Sequence, residues 1–290
     1  MLVAASLFLR FSLATFTPSH LQRRFPLRSI SMKMKHIGLV ALAAVAVCTQ
    51  GVMAQEWGTI KGRFVIDGSA PQAPALDITK DREFCGPTTP DPTIQVGKDG
   101  GVANVALWLY VDRGGKAPEP HPSYAEKIKQ TVKVTNEMCV YVPHVATVVA
   151  GQPVEFINKD PIPHNFKVEG FANASFNNLV PIDGVFEHKF ASEERYPMNA
   201  SCSIHPWMSA KLVVRESPYM AASAEDGTFV IENLPVGKHK FQLWHEVPGN
   251  LKGVEVAGEE ADRRGTVEIE VKAGENDLGD IKIKAATLKK

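Results

Sequence analysis

Beyond residue 55 the sequence is almost without helical periodicity; only PSYAEKIKQ (122–130) reads as a short helix. That lack excludes helical bundles, and the absence of heptads excludes coiled coils. No glycine loop of the phosphate-cradling kind and no repeat of solenoid length is present, which sets aside P-loop and stacked-repeat architectures. What is there instead is a series of short β-rich runs, among them GTIKGRFVI, NVALWLYV, TVVAGQPVEFIN, AKLVV, HKFQLW and TVEIEV, broken by Gly, Pro, Asn and Asp. Twenty prolines and 22 glycines fit such punctuation better than any helical class. The expected fold is all-β, built of sandwiches.

Acidic residues are missing from residues 1–54, which hold Arg10, Arg23, Arg24, Arg28, Lys33 and Lys35. Within that stretch MKMKHIGLVALAAVAVCTQGVMA (32–54) has the order of a signal peptide: basic start, apolar run, and Val52-Met53-Ala54 as a small-residue cleavage site. Its apolar run, Ile37–Val47, is too short for a comfortable membrane span. Met32 or Met34 is the expected start, and Val47 is too bulky to make Cys48 a usual lipoprotein cysteine. The mature protein is thus expected to be exported, periplasmic or extracellular, without a transmembrane span. Removing 1–54 takes six of the 32 Lys/Arg and none of the 32 Asp/Glu, so 26 basic groups face 32 acidic ones. A mildly acidic chain with no basic patch is not a nucleic-acid binder.

Cysteine is also scarce. Three remain in the mature chain: Cys85, Cys139 and Cys202. In an oxidising compartment an odd count means one thiol stays free for another reason. If Cys202 is the thiol kept free, Cys85 and Cys139 are the remaining pair and most simply form a disulfide, worth roughly 3–4 kcal/mol in the chain-entropy account. Cys202 sits in NASCSIHPWMSAKLVV (199–214), three residues before His205 and six before Met208. Upstream, in PVEFINKDPIPHNFKV (153–168), an alternating strand ends at Asn158 and His164 follows a Pro-containing turn.

This Cys-x2-His-x2-Met spacing, with a lone His 38 residues earlier, resembles the blue-copper cupredoxins, the plastocyanin- and amicyanin-like proteins. The resemblance implies a Greek-key sandwich over about 129–217 and one type 1 copper ion. A metal cycling between Cu(I) and Cu(II) suits a thiolate and two imidazoles in a plane plus a weak axial thioether. Cys202, His164 and His205 would supply the plane and Met208 the axis. Asn165 would tie the two ligand loops by hydrogen bonds. The resemblance also implies a ligand histidine whose ring edge lies at the surface. Pro206 and Trp207 beside His205 would then form an apolar patch for transient docking of a redox partner, a cytochrome or dehydrogenase-like protein. Each residue alone has a plainer reading, as a buried thiol, a core methionine or a satisfied histidine. Zinc is the chemical rival, although a thioether matches it poorly. His144, His188 and His245 read as structural.

The segment AEDGTFVIENLPVGKHKFQLWHE (224–246) resembles the carboxypeptidase regulatory-like repeat, a transthyretin-like sandwich. Asp226-Gly227 before a strand, Leu234-Pro235-x-Gly237 as a turn, and the aromatic strand that follows carry that likeness. The strands that normally open such a repeat stand far upstream, in GTIKGRFVIDGSAP (58–71) and GVANVALWLY (101–110). The expectation is a discontinuous sandwich, 55–118 with 218–290, holding the cupredoxin unit between its parts; two separate modules are the alternative. That sandwich could contact carbohydrate or a protein. Function then divides into an exported one-electron carrier or relay, a non-redox copper-binding or delivery module, and a structural or adhesive β protein. No His-x-His occurs among the seven mature histidines. A multicopper oxidase or nitrite reductase site is therefore not expected, and neither is a hydrolase triad. The chain is expected not to be an enzyme by itself.

Overall fold

Alternation with a period of two decides which side chains face inward along each strand. In Pro153–Asn158 the buried set is Val154, Phe156 and Asn158; in His164–Glu169 it is His164, Phe166 and Val168. The computed structural model describes residues 55–289. The leader and signal peptide read from residues 1–54 lie outside the described residues. Among the described residues no helix is long and apolar enough to cross a membrane.

The chain is all-β, with two sandwiches. One has a five-stranded sheet in the order Phe176–Val180, His164–Glu169, Met198–Ser201, Ser209–Arg215, Val145–Val149. Against it lies a four-stranded sheet, Val185–Lys189, Pro153–Asn158, Val132–Glu137, Val140–Val142. Each sheet contains one parallel pair, Ser209–Arg215 with Val145–Val149 and Pro153–Asn158 with Val132–Glu137. Parallel neighbours need crossovers, so this unit is not a simple meander. Phe156, Phe166, Tyr141, Val168 and Leu212 fill the space between the sheets.

The other sandwich draws on both ends of the described chain. Trp57–Asp67 lies between Thr228–Pro235, antiparallel, and Gly274–Lys284, parallel. Ala106–Leu109 lies between Met220–Ala222 and Gly237–His245, and Gly237–His245 also pairs with Thr266–Val271. Phe64, Leu107, Phe229 and Phe241 are buried there. The Asp226-Gly227 turn needs its glycine: φ is +83°, and a Cβ would stand 2.2 Å from the Phe64 carbonyl oxygen. Trp108 and Trp244 of this sandwich pack with Val145 and Val213 of the other. His144 and Lys211 both reach Glu246, at 2.5 and 3.0 Å.

Two expectations need correction. The helix read over 122–130 is only Tyr124–Lys127. The span 55–118, assigned to the flanking sandwich, includes Ile78 and Cys85, which pack in the core of the 132–214 unit. A covalent tie explains the crossing: Cys85 and Cys139 form a disulfide, Cα atoms 5.5 Å apart. Among the described residues Cys202 is the free cysteine.

Candidate metal centre

Local hydrogen bonding aims His164 inward. The Asn158 amide donates to the carbonyls of Ile162, Val180 and Pro181 at 2.8–3.2 Å, and its Oδ1 accepts the Asp160 N–H at 3.0 Å. These bonds close the turn before His164, which then begins its strand on the buried face. The other donors come from the loop joining paired strands Met198–Ser201 and Ser209–Arg215. That loop is closed by Cys202 N–H to the Met208 carbonyl at 3.3 Å and Met208 N–H to the His205 carbonyl at 3.0 Å.

Three donor atoms converge. Cys202 Sγ lies 3.6 Å from His205 Nδ1 and 4.0 Å from His164 Nδ1, and the two Nδ1 atoms are 2.9 Å apart. The exposures of His164, Cys202 and His205 are 0%, 3% and 1%. With metal–nitrogen bonds of about 2.0 Å and metal–sulfur bonds of about 2.3 Å, the ligand atoms of one ion stand roughly 3–4 Å apart. The spacing fits a single ion.

The far side of each ring is also settled. His164 Nε2 lies 2.9 Å from Asp160 Oδ2, and His205 Nε2 lies 2.8 Å from Asp81 Oδ2. A carboxylate at Nε2 favours the proton there and turns the Nδ1 lone pair toward the sulfur. Two lone pairs facing a sulfur at these distances repel unless a proton or cation lies among them. Two backbone N–H groups point at Cys202 Sγ, from Asn165 at 3.2 Å and His205 at 3.4 Å. Burial raises the Cys202 pKa, but the His164 contact and these N–H donors outweigh it and lower the thiol below its ordinary value. Burial likewise opposes the charged form of His164, yet its bonds to Asp160 and Cys202 prevail and raise it. His205 is lowered, chiefly by burial, with the Asp81 bond opposing. Burial is also the main reason that the Tyr141 phenol is raised well above its ordinary value, with Cys202 contributing. The Tyr141 hydroxyl donates to the Asn165 carbonyl at 2.5 Å.

Of the residues singled out in the sequence, the structure brings His164, Cys202 and His205 together. Met208 closes the loop, is 1% exposed and packs in the same core. Asn165 links the two donor loops through its backbone N–H to sulfur and through a side-chain relay: Asn165 to Asn177 at 3.1 Å, Asn177 to Ser203 at 3.0 Å. The surface patch is corrected. Pro206 is exposed and Trp207 half-buried, donating to the Cys139 carbonyl at 3.3 Å, but the His205 ring edge is covered because Asp81 sits on it. Sequence reasoning missed Asp160, Asp81 and Tyr141. A carboxylate four residues before a candidate ligand histidine, across a Pro turn, was a usable signal for Asp160; Asp81 carried none. Cys139, Asp160 and His164 also approach one another, but the Cys139 sulfur is engaged in the disulfide.

The sequence matches no family model and no curated protein. Part of the chain is similar in structure to solved cupredoxins. A mutant of amicyanin in its reduced Cu(I) form at pH 4 is 20% identical, covering 29% of this chain and 82% of that one, TM-score 0.27. A purple cupredoxin from Nitrosopumilus maritimus is 23% identical, covering 29% and 98%, TM-score 0.25. A copper-containing nitrite reductase from Thermus scotoductus is 24% identical, covering 37% and 25%, TM-score 0.28. At such scores the likeness carries no weight for the site's chemistry, which rests on the converging donors.

Proposed function

We propose that this chain is an exported type 1 copper protein that carries or relays single electrons. The observation that carries the reading is the convergence of one buried sulfur and two Nδ1 atoms, each imidazole anchored through Nε2 to a carboxylate. A soft thiolate with two imidazoles and a weak thioether is the donor set of one-electron copper centres, and copper bound there would supply a reversible Cu(I)/Cu(II) couple. Cys202, His164 and His205 would hold the ion, with the Met208 thioether as a weak further donor. The chain's own contribution is rigidity. The hydrogen-bonded turns hold the donors in one arrangement, and the N–H groups of Asn165 and His205 stabilise charge on the sulfur.

The protein acts on no substrate itself in this reading. Its redox partner, cytochrome or dehydrogenase-like, docks briefly over a small interface. The flanking sandwich, 55–118 with 218–290 less the segment packed on the other core, spaces or attaches the copper unit through contact with carbohydrate or protein. One observation favours a second reading, non-redox copper binding or delivery: the His205 ring edge is closed to solvent.

Loading the purified protein with Cu(II) and recording visible and EPR spectra separates these readings. An intense blue band with narrow copper hyperfine splitting, lost in Cys202→Ser, is the carrier's result. A pale tetragonal copper signal indifferent to Cys202→Ser would leave the delivery reading. Tighter binding of Zn(II) than of copper would sink both.

A further inference from the structure

The group that holds His205 comes from a part of the chain remote from both ligand loops. Asp81 precedes His205 by 124 residues and lies outside the 129–217 unit. It stands in the left-handed region, φ +50°, at the start of the short helix Arg82–Cys85, and its side chain makes no capping bond there. Its carboxylate reaches His205 Nε2 instead, while 37% of the side chain stays open to solvent. The Asp81 carbonyl accepts the N–H groups of Phe84 and Cys85 at 3.1 and 2.9 Å, so the segment folds tightly on itself. Cys85 then ties it to Cys139.

Cys139 is a junction. Its N–H donates to Asp160 Oδ2 at 2.9 Å, the same oxygen that lies 2.9 Å from His164 Nε2. Its carbonyl accepts Trp207 Nε1, two residues beyond His205. Its sulfur leads through Cys85 to Asp81. The supports of both imidazoles therefore meet at one residue.

We infer that residues 78–85 are a limb of the metal centre, with Asp81 as the positioning residue for His205 and the Cys85–Cys139 disulfide as the bond that keeps the limb in place. Without the carboxylate, the ring can carry its proton on either nitrogen and can turn, so Nδ1 is no longer aimed at the sulfur. The same contact shuts the ring edge away from solvent. The consequence for metal binding rests on the copper reading; the effect on the ring does not.

The test uses the full mature chain, metal-free, with 15N-labelled histidine. Long-range proton–nitrogen spectra should report His205 with its proton on Nε2. Asp81→Ala should mix the tautomers and make His205 react faster with diethyl pyrocarbonate. Asp81→Asn should keep the wild-type tautomer, because its amide oxygen can accept the same bond. The double variant Cys85→Ser/Cys139→Ser should behave like Asp81→Ala, with near-UV circular dichroism checking that it is folded; should it unfold, the Asp81 pair decides. In the copper arm, Asp81→Ala should weaken Cu(II) binding by about 10–100-fold and Asp81→Asn by much less. An unchanged tautomer and unchanged reactivity in Asp81→Ala overturn the inference. A ring that responds in a wild-type protein that binds no copper sinks the copper reading and leaves the limb standing; copper binding with an indifferent ring does the reverse.

Discussion

The two sandwiches bury similar hydrocarbon and differ in what they hide at one end. The flanking sandwich packs Phe64 on Phe229, centroids 5.0 Å apart, with Phe241 and Leu243 nearby. The other packs Phe156 against Phe166 at 4.7 Å and Tyr141 against Phe166 at 4.8 Å. Only this second core passes, at one end, into buried imidazoles gathered around a free thiol; the buried His245 of the flanking sandwich lies instead near Glu246 and His144. Taking such groups out of water costs several kcal/mol unless they are paired. The cluster is therefore a local cost to stability, offset by its hydrogen bonds and by any ion it holds. Architecture alone does not require it, as the neighbouring sandwich demonstrates by doing without one.

The strongest way to break the comparison is to hollow out each core in turn. Phe156→Ala and Phe241→Ala should each cost about 3–5 kcal/mol, since both rings are fully buried. Calorimetry then decides how separate the sandwiches are. Independent units would show two transitions, each moved by its own variant only. A single transition moved by both would mean that the Trp108–Val145–Val213–Trp244 contact makes them one cooperative body.

Acid should act next most strongly, at the seam. Burial pushes the His245 pKa down to about 4, from an ordinary 6.5. Between those values the unfolded chain takes up a proton that the folded one refuses, so stability falls as pH drops from about 6.5 and the loss is complete below about 4. The full effect is about 3 kcal/mol. Denaturant midpoints measured across that range should slope accordingly, and His245→Gln should flatten the slope. A slope that survives the substitution would place the titrating group elsewhere. The smallest effect belongs to the outer face of the site sheet. Leu179 is 60% exposed on the strand that pairs with His164–Glu169. Leu179→Ser should change stability by no more than about 0.5 kcal/mol; a larger loss would show that this edge is covered in solution.

What could be read from the sequence followed the range of the interactions. Alternating runs exposed the β class because strand burial has a period of two. Cys202, His205 and Met208 stood out because a seven-residue loop keeps them near one another whatever the rest of the chain does. His164 was legible from its place after an alternating strand and a Pro turn. The Cys85–Cys139 disulfide followed from an odd thiol count and the special surroundings of Cys202. The exposed ring edge assigned to His205 was wrong for a physical reason: exposure is set by what other segments cover, and the covering segment lies over a hundred residues away.

The sequence by itself determined an all-β chain and a short loop of soft and imidazole donors with one more histidine to join them. Those properties are local, written in alternation and spacing. Only the tertiary structure decided that Asp81 and Asp160 hold the two rings, that a disulfide ties their supports together, and that His205 is closed off. Contacts across such distances depend on how the whole chain closes, and no local pattern of residue types specifies that closure.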